Sequence, residues 1–350
     1  MKRIALSALL LLAGCSAFGP TTIPRDRFDY SGALAKSWKD QMLLNLVKMR
    51  YFDLPIYLEV GQIVSGYTLE TTANVGGEVG NSAAGTNFLG LGASGRYTDR
   101  PTITYSPQTG QKFLESFLTP IHPAKVLSLV QAGFAADFIL QLSVESLNGL
   151  RNDPVNVGAT HKADPEFFRV LALLREIQDA GAVGLKVDEP QGDKPATVLF
   201  FRRERTPPEV QAKIEEARSL LGLSPGQFDF RLVSSPQKGG PGELSLATRS
   251  LAQAMMALAF GIEIPPAHVQ RRLTPPLKEL EPGKQVLLRV HSGPDRPADA
   301  YVAVPYEGAW FWIANDDWHS KRTFSSILFL FTLADMGERS HQPVLTIPTQ

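Results

Sequence analysis

The sequence contains a single cysteine, Cys15, among 350 residues. This excludes an intramolecular disulfide and a zinc centre built from several thiolates. The chain also lacks an excess of either charge, with 35 basic and 35 acidic side chains. Without such an excess, an electrostatic preference for nucleic acid is not expected.

Apolar runs are short. Residues 4–12 are too few to span a bilayer as a helix, and no other apolar stretch reaches the roughly 18 residues that a transmembrane helix requires. The signatures H-E-x-x-H, Walker A and G-x-S-x-G do not occur, and the six histidines lack the spacing of metal ligands. We therefore assign no catalytic residue and no metal ligand, expect no cofactor, and favour a non-enzymatic protein over an enzyme.

The N-terminus combines positive charge at Lys2 and Arg3 with the apolar residues 4–12 and then Leu-Ala-Gly before Cys15. This pattern resembles the signal peptide and lipobox of bacterial lipoproteins. The resemblance implies cleavage between Gly14 and Cys15 and a covalent lipid on Cys15. Several acyl chains would anchor the chain stably in a membrane. Residues 1–14 are then the signal peptide and residues 15–28 the lipidated cysteine and its tether.

Ser16, the residue after the cysteine, indicates to which membrane the lipoprotein is sorted. In the sorting rule for such lipoproteins, an aspartate at this place retains the protein in the inner membrane. The resemblance with serine therefore implies a lipid-anchored outer-membrane protein, and the inner membrane is the less favoured location. The expected partners are membrane lipid through Cys15 and other copies of the chain or an envelope complex.

Residues 56–106 are rich in Gly, Thr, Ser and Asn. From residue 63 the odd positions are mostly apolar and the even ones polar, and a second alternating arm ends near residue 98. Alternation with a period of two, interrupted by turn residues, predicts a long amphipathic β-hairpin over 63–98. The G-x-G-x-x-G letters at 90–95 continue as strand rather than opening a helix, so a nucleotide site is not expected.

Helical spacing and capping signals alternate with strand-like segments over the rest of the chain. The first helix is expected to bury one apolar stripe, formed by Leu34, Trp38, Met42, Leu46 and Met49. Asp164 is expected to cap the helix that follows it, and Glu307-Gly308 is expected to form a turn between two strands. The pattern predicts an α+β fold of helices packed on short mixed sheets, with mixed α/β as the alternative. We expect a helix-rich region at 29–235 and a C-terminal region at 243–350, in one domain or two. The predicted helices are 30–50, 110–118, 123–133, 135–150, 165–180, 208–221, 249–260 and 320–336. The predicted strands are 102–105, 183–187, 197–202, 228–233, 243–247, 285–290, 300–306, 309–314 and 344–347.

The densest polar cluster follows the strand 309–314 and contains Asp316, Asp317, His319 and Lys321. Paired aspartates beside a histidine are able to bind metal or perform acid–base chemistry. The interpretation we favour is a turn formed by the aspartates, followed by a helix capped by Ser320. An enzyme would instead bring these side chains and Glu307 together in one pocket.

Aromatic residues form a second concentration, at Trp310, Phe311 and Trp312. Strand alternation places the two tryptophans on one face and Phe311 on the other. Packing of both faces in the core is favoured over sugar binding by stacking, because aromatic side chains dominate protein cores.

Short segments distributed along the chain resemble a family of uncharacterised proteobacterial lipoproteins. They are residues 43–51 with Asp53 and Pro55, and residues 100–105, 248–251, 320–324 and 343–348. The resemblance spans nearly the whole chain after Cys15. It implies an envelope location and assigns no activity.

Two functions remain open from the sequence. The first is a membrane-anchored envelope lipoprotein that acts as a non-enzymatic assembly or structural component, oligomerising through the 63–98 hairpin. The alternative packing is a hairpin folded against its own chain. The second function is a periplasm-facing enzyme or ligand-binding lipoprotein that uses the polar groups around Asp316 and Lys321.

Overall fold

The computed structural model describes residues 23–64, 67–78, 88–99, 102–108, 110–155, 162–188, 196–276 and 286–334. They divide into two compact units. Unit 2 is Ile56–Thr109, and unit 1 comprises the described residues on either side of it. The fold is α+β, as the sequence predicts. Gly14, Cys15 and the predicted strand 344–347 lie outside the described residues.

The helices of unit 1 begin with the long α1. In chain order the described helices are α1 (Ile23–Arg50), α2 (Gln111–Leu118), α3 (Pro123–Gln131), α4 (Ala136–Ser143), α5 (Pro165–Asp179), α6 (Pro208–Leu220), α7 (Leu251–Ala259), α8 (Pro266–Gln270) and α9 (Trp318–Ala334). Across these ranges, none is long and apolar enough to cross a membrane.

Strands occur in both units. Unit 2 contains β1 (Tyr57–Val64), β2 (Tyr67–Glu78), β3 (Phe88–Asp99) and β4 (Thr102–Gln108). Unit 1 contains β5 (Val144–Leu147), β6 (Leu150–Arg151), β7 (Val183–Asp188), β8 (Ala196–Phe201), β9 (Asp229–Val233), β10 (Glu243–Thr248), β11 (His291–Gly293), β12 (Ala300–Tyr306) and β13 (Ala309–Ala314).

Unit 1 contains a mixed sheet and a smaller antiparallel one. The mixed sheet has the order β6-β5-β10-β9-β8-β7, in which only the described pair β9 and β10 is parallel. The smaller sheet has the order β11-β13-β12. Because β9 and β10 are neighbours in one sheet, the loop 234–242 between them joins two strands of a single layer.

Helix α7 is the centre of the helical layer and contacts α1, α2, α4 and α9. It starts with a capping box in which Ser250 accepts from the backbone N–H of Gln253 and the Gln253 side chain accepts from the N–H of Ser250. This exchange satisfies two donors that every helix N-terminus leaves open. Buried alanines, Ala254 and Ala259, let neighbouring helices approach closely.

Helix α1 begins at Ile23, so the predicted tether is helical over 23–28. Pro24 suits this position, because a proline in the first turn removes an N–H that has no helical partner. The prediction that Trp38 continues the apolar stripe was wrong, since its exposed fraction is 54%. The buried stripe is confined to the C-terminal half of α1, where Met42 and Leu46 pack in the core.

The predicted helix 135–150 ends at Ser143, and the prediction was wrong for residues 144–150. Val144–Leu147 instead forms β5 and pairs with β10 and β6. Asn148 and Gly149 then make a two-residue turn with φ values of 48° and 91°. This Asn-Gly pair is a strong hairpin signal because both residues tolerate positive φ.

Two smaller predictions also differ from the structure, and a third is confirmed. Asp164 precedes α5 without a capping hydrogen bond, because its carboxylate binds the backbone and guanidinium of Arg151. Residues 286–290 contribute an isolated bridge at Val290 rather than the predicted strand, and the strand β11 begins at the next residue, His291. The predicted turn at Glu307 and Gly308 is confirmed, with φ values of 49° and 81°.

Unit 2 consists of two antiparallel strand pairs, β1 with β4 and β2 with β3. β2 and β3 pair in an unbroken antiparallel register from Tyr67 opposite Asp99 to Glu78 opposite Phe88. β1 and β4 pair from Tyr57 opposite Gln108 to Val64 opposite Thr102. The predicted hairpin is therefore present in outline. The G-x-G-x-x-G segment lies within β3, as strand.

Candidate functional site

The polar cluster after β13 forms the start of α9. The carboxylate of Asp317 accepts a hydrogen bond of 2.9 Å from the backbone N–H of Ser320. Partial burial opposes ionisation of Asp317, but the hydrogen bonds from Ser320 and the electrostatic effects of His319 and Arg289 together hold the pKa of Asp317 below its ordinary value. Asp317 is therefore the N-cap of α9.

The prediction that Ser320 caps this helix was wrong. Ser320 lies inside the first turn and is buried, and its hydroxyl accepts a hydrogen bond of 2.9 Å from the backbone N–H of Arg289. Ser320 is the third residue of α9, so its own backbone N–H is one of the free helix donors, and Asp317, the residue before the helix, supplies the acceptor. Ser320 instead holds the segment before β11 against α9.

The remaining members of the cluster point to different neighbours. Asp316 is exposed in the turn, and His319 makes an edge contact with the ring of Trp318. Lys321 donates to the backbone and side-chain oxygens of Asn315 at 3.0 and 3.3 Å. Across the described residues these groups do not assemble around one reacting position, and no three His, Cys, Asp or Glu side chains are placed to hold a metal ion.

Lys321 lies beside a residue that lines a cavity, and this cavity was not predicted from the sequence. The ammonium group of Lys321 lies 5.1 Å from the ring centroid of Tyr301, and Lys39 of α1 lies 4.4 Å from the same centroid. Tyr301 lines a cavity of about 320 Å³ between α1 and β12, which we call the Tyr301 groove. Its lining residues are Lys36, Asp40, Arg296, Pro297, Ala298, Ala300, Tyr301, Val302 and Ala303.

Charge around the Tyr301 groove is unevenly balanced. Asp40 neutralises Lys36 through an ion pair one helical turn apart, and Asp299 accepts from the amide of Asn315 at 3.1 Å. In contrast, Lys39, Arg296 and Lys321 have no carboxylate within ion-pair distance among the described residues. Cations outnumber anions at this cavity.

Aromatic rings shape the same end of unit 1. The burial of β13 alternates, with Phe311 in the core and Trp310 and Trp312 half-buried on the other face. The guanidinium of Arg296 lies 5.4 Å from the ring centroid of Trp310. One face of β13 therefore packs in the core. On the other face, Trp310 contacts Arg296 in the loop before β12.

A buried polar network lies at the end of α1. The hydroxyl of Tyr51 is 2.7 Å from Nδ1 of His268, and the hydroxyl of Tyr306 donates to Asp53 at 3.1 Å. Burial raises the pKa of Tyr51 and of Tyr306 to about 12 in each case. The two tyrosine rings meet edge to face, at a centroid distance of 5.1 Å. This network joins α1, α8 and the β12–β13 turn.

Unit 2 carries an exposed apolar surface on β1 and β4. Directly opposed residues share a face of a sheet, and the opposed pairs here include Val60 with Tyr105 and Ile63 with Ile103. Gly61 is an extra residue in the register, so Val60 and Ile63 share a face although they are three apart. We call this surface the ribbon face; it comprises Leu58, Val60, Ile63, Ile103, Tyr105 and Pro107.

Side chains of the ribbon face are accessible. The exposed fractions are 43% for Leu58, 39% for Ile103 and 56% for Tyr105. No third strand extends the β1–β4 pair within the part of the chain that the structure describes. Unpaired strand edges and a contiguous apolar surface are the usual features of a strand-mediated interface.

Comparison of this chain with protein-family models, curated proteins and solved structures found no match.

Proposed function

We propose that this protein is a lipid-anchored envelope lipoprotein with a non-enzymatic role, which assembles with other copies of itself through the ribbon face. The observation that carries the proposal is the set of exposed apolar side chains on the ribbon face, next to an edge of β4 that pairs with no other strand among the described residues. The lipobox-like sequence ending at Cys15 supports the anchor.

The physical argument begins with the stability of the segment. A two-stranded ribbon alone is marginally stable in water because it exposes its backbone donors and acceptors along both sides. Pairing with the same strand of a second copy satisfies those groups and covers apolar area at about 25 cal/mol per Å². A second copy presents an identical edge, so the contact is complementary by symmetry.

Pro107 indicates where such pairing would stop. A proline has no N–H to donate and is confined to edge strands and strand ends. In β4 it lies next to the last residue, Gln108, opposite Leu58 at the start of β1. The segment from Thr102 to Ser106 keeps its donors, so this part of the edge is the expected contact.

The decisive experiment measures native mass in detergent for the full chain and three variants. Ile103→Lys and Tyr105→Lys introduce charge on the ribbon face, whereas Thr104→Lys places the same charge on the opposite face of the same strand. We expect an oligomer for the native chain and for Thr104→Lys, and monomers for the other two. A monomeric native chain, or equal behaviour of all three variants, overturns the assembly.

A shortened chain separates assembly from folding of unit 1. Because Leu58 and Pro107 are directly opposed, an Asn-Gly turn can replace residues 59–106 without stretching the chain. The expected product is a folded monomer with the thermal transition of unit 1 retained.

The anchor is tested separately. Residues 16–350, exported from a signal peptide that lacks a lipobox, should leave the membrane fraction, while the native chain should carry the mass of diacylglycerol and an acyl group on Cys15. An unmodified Cys15 in the membrane-derived protein contradicts the lipoprotein assignment.

A further inference from the structure

We infer that the Tyr301 groove binds a phosphate monoester group. The inference concerns unit 1 alone and does not depend on the proposed assembly, which involves unit 2. The groove has about 320 Å³ of space, near the lower end of the volumes that hold small ligands.

Charge selects the ligand class. Lys36 and Arg296 line the cavity together with one carboxylate, Asp40, and the ammonium groups of Lys39 and Lys321 lie beside the lining residue Tyr301. An excess of cations over carboxylates in the lining favours an anion such as a phosphate monoester, which carries about −1.5 to −2 at neutral pH. A neutral sugar or a cation would leave that excess uncompensated.

Two separate chain segments each place a cation beside the ring of Tyr301. Lys39 comes from α1, Lys321 comes from α9, and both ammonium groups lie within 5.1 Å of the Tyr301 ring centroid. Two like charges held beside one ring repel each other, and a bound anion near them would reduce that repulsion. The ring contacts keep the two side chains at the cavity in the absence of a carboxylate partner.

Arg296 supplies the directional contact. Its guanidinium rests over Trp310 at 5.4 Å, and its loop is bounded by Pro294 and Pro297, which restrict the backbone. A guanidinium matches two phosphate oxygens with parallel donors, whereas an ammonium acts as a point charge. A stacked arginine in a restricted loop loses little freedom when it binds.

The test uses isothermal titration calorimetry of the full chain in detergent with inorganic phosphate and with glycerol 3-phosphate. We expect dissociation constants on the order of 0.1–1 mM that weaken with added salt. Arg296→Gln and Lys39→Gln should each weaken binding by about tenfold. Arg203→Gln is the matched control, because Arg203 is also exposed and rests over an aromatic ring, Phe228, at 5.4 Å.

A second arm identifies the source of the phosphate group. Micelles doped with phosphatidic acid should compete with glycerol 3-phosphate if the natural ligand is a lipid headgroup, and should not compete if it is a soluble ester. Either result supports the site. Absence of binding up to about 10 mM, or affinity unchanged in Arg296→Gln and Lys39→Gln while both variants keep the native thermal transition, overturns the inference. Failure of the ribbon variants to alter native mass leaves this result unaffected.

Discussion

Arg249 donates from its guanidinium to the backbone oxygen of Asp153, 96 residues earlier in the chain. The other terminal nitrogen donates to the backbone oxygens of Gln141 and Leu142, at 3.1 and 3.2 Å. Those two oxygens belong to the last turn of α4, where a helix leaves its acceptors unpaired. The buried arginine thus supplies hydrogen-bond donors to the end of α4, and its positive charge interacts favourably with the negative end of the helix dipole.

Replacement of this arginine should destabilise unit 1. Burial lowers the pKa of Arg249 to about 10, against the charges of Glu145 and Asp153, so the side chain remains cationic at neutral pH. Arg249→Met removes the guanidinium donors to the oxygens of Gln141, Leu142 and Asp153. The oxygen of Gln141 keeps a second donor, the side-chain amide of Asn152 at 2.8 Å, and we expect a loss of about 3 kcal/mol in the free energy of unfolding. Urea unfolding of the full chain in detergent measures it.

Two further variants show which property of Arg249 accounts for the loss in the free energy of unfolding. Arg249→Lys should recover only part of it, because lysine keeps the charge but not the planar set of donors. Arg231→Met removes an exposed arginine from β9 and should change stability by less than about 0.5 kcal/mol. If Arg249→Met unfolds at the same urea concentration as Arg231→Met, the hydrogen bonds from Arg249 to the end of α4 make no measurable contribution to stability.

Asn148 should be required for its side chain rather than for its backbone conformation. Its side-chain oxygen accepts from the backbone N–H groups of Gly239 and Ser245 at 2.9 and 3.3 Å, and its amide donates to the oxygen of Leu221 at 2.7 Å. Asn148→Gly accommodates the positive φ freely but leaves these groups unpaired, so we expect a loss of about 2 kcal/mol. A glycine variant as stable as the native chain in urea would show that the turn conformation alone matters.

The fold class was predictable because most elements carry local signals. The β12–β13 hairpin is an example, since Glu307-Gly308 is a turn pair between two alternating strands and adopts the expected positive φ. The segment 144–147 could not be assigned by local spacing, because its strand conformation comes from pairing with β10, about 100 residues later. Asn148-Gly149 was the available signal for that boundary, and its turn chemistry should have ended the predicted helix.

The Tyr301 groove was not predictable from the sequence. Its charges come from α1, from the loop before β12 and from α9, and only the packing of α1 on β12 brings them together. Of the polar cluster selected by sequence, Lys321 alone contacts the groove through Tyr301, while Asp317 serves the helix. The sequence shows that polar residues are concentrated here. Which of them caps the helix and which lies near the cavity is decided by the tertiary structure.

The cap of α9 should weaken in acid. Because the pKa of Asp317 in the folded protein lies below its ordinary value, the carboxylate contributes stability above the unfolded pKa of about 3.9 and loses it as pH falls through the folded value. Asp317→Ala should lower stability by about 1 kcal/mol at neutral pH, and by less as the pH approaches the folded value. Asp316→Ala, which removes the exposed neighbour, is the matched control and should have little effect on urea unfolding.

The Tyr51–His268 contact predicts the behaviour of unit 1 at alkaline pH. Burial raises the pKa of Tyr51 to about 12, with the charge of Arg50 opposing the increase. The folded chain therefore keeps a proton that the unfolded chain releases near pH 10. The resulting stabilisation is fully present below about pH 10 and is lost as the pH rises toward 12.

Tyr51→Phe tests this dependence. At neutral pH the variant should be less stable by about 1–2 kcal/mol, because His268 is buried and loses its hydrogen bond to the phenol. Between about pH 10 and about pH 12 the variant should lose stability less steeply than the native chain, since one proton-linked group has been removed. Parallel stability curves for the native chain and Tyr51→Phe across this range would mean that Tyr51 ionises alike in the folded and unfolded states.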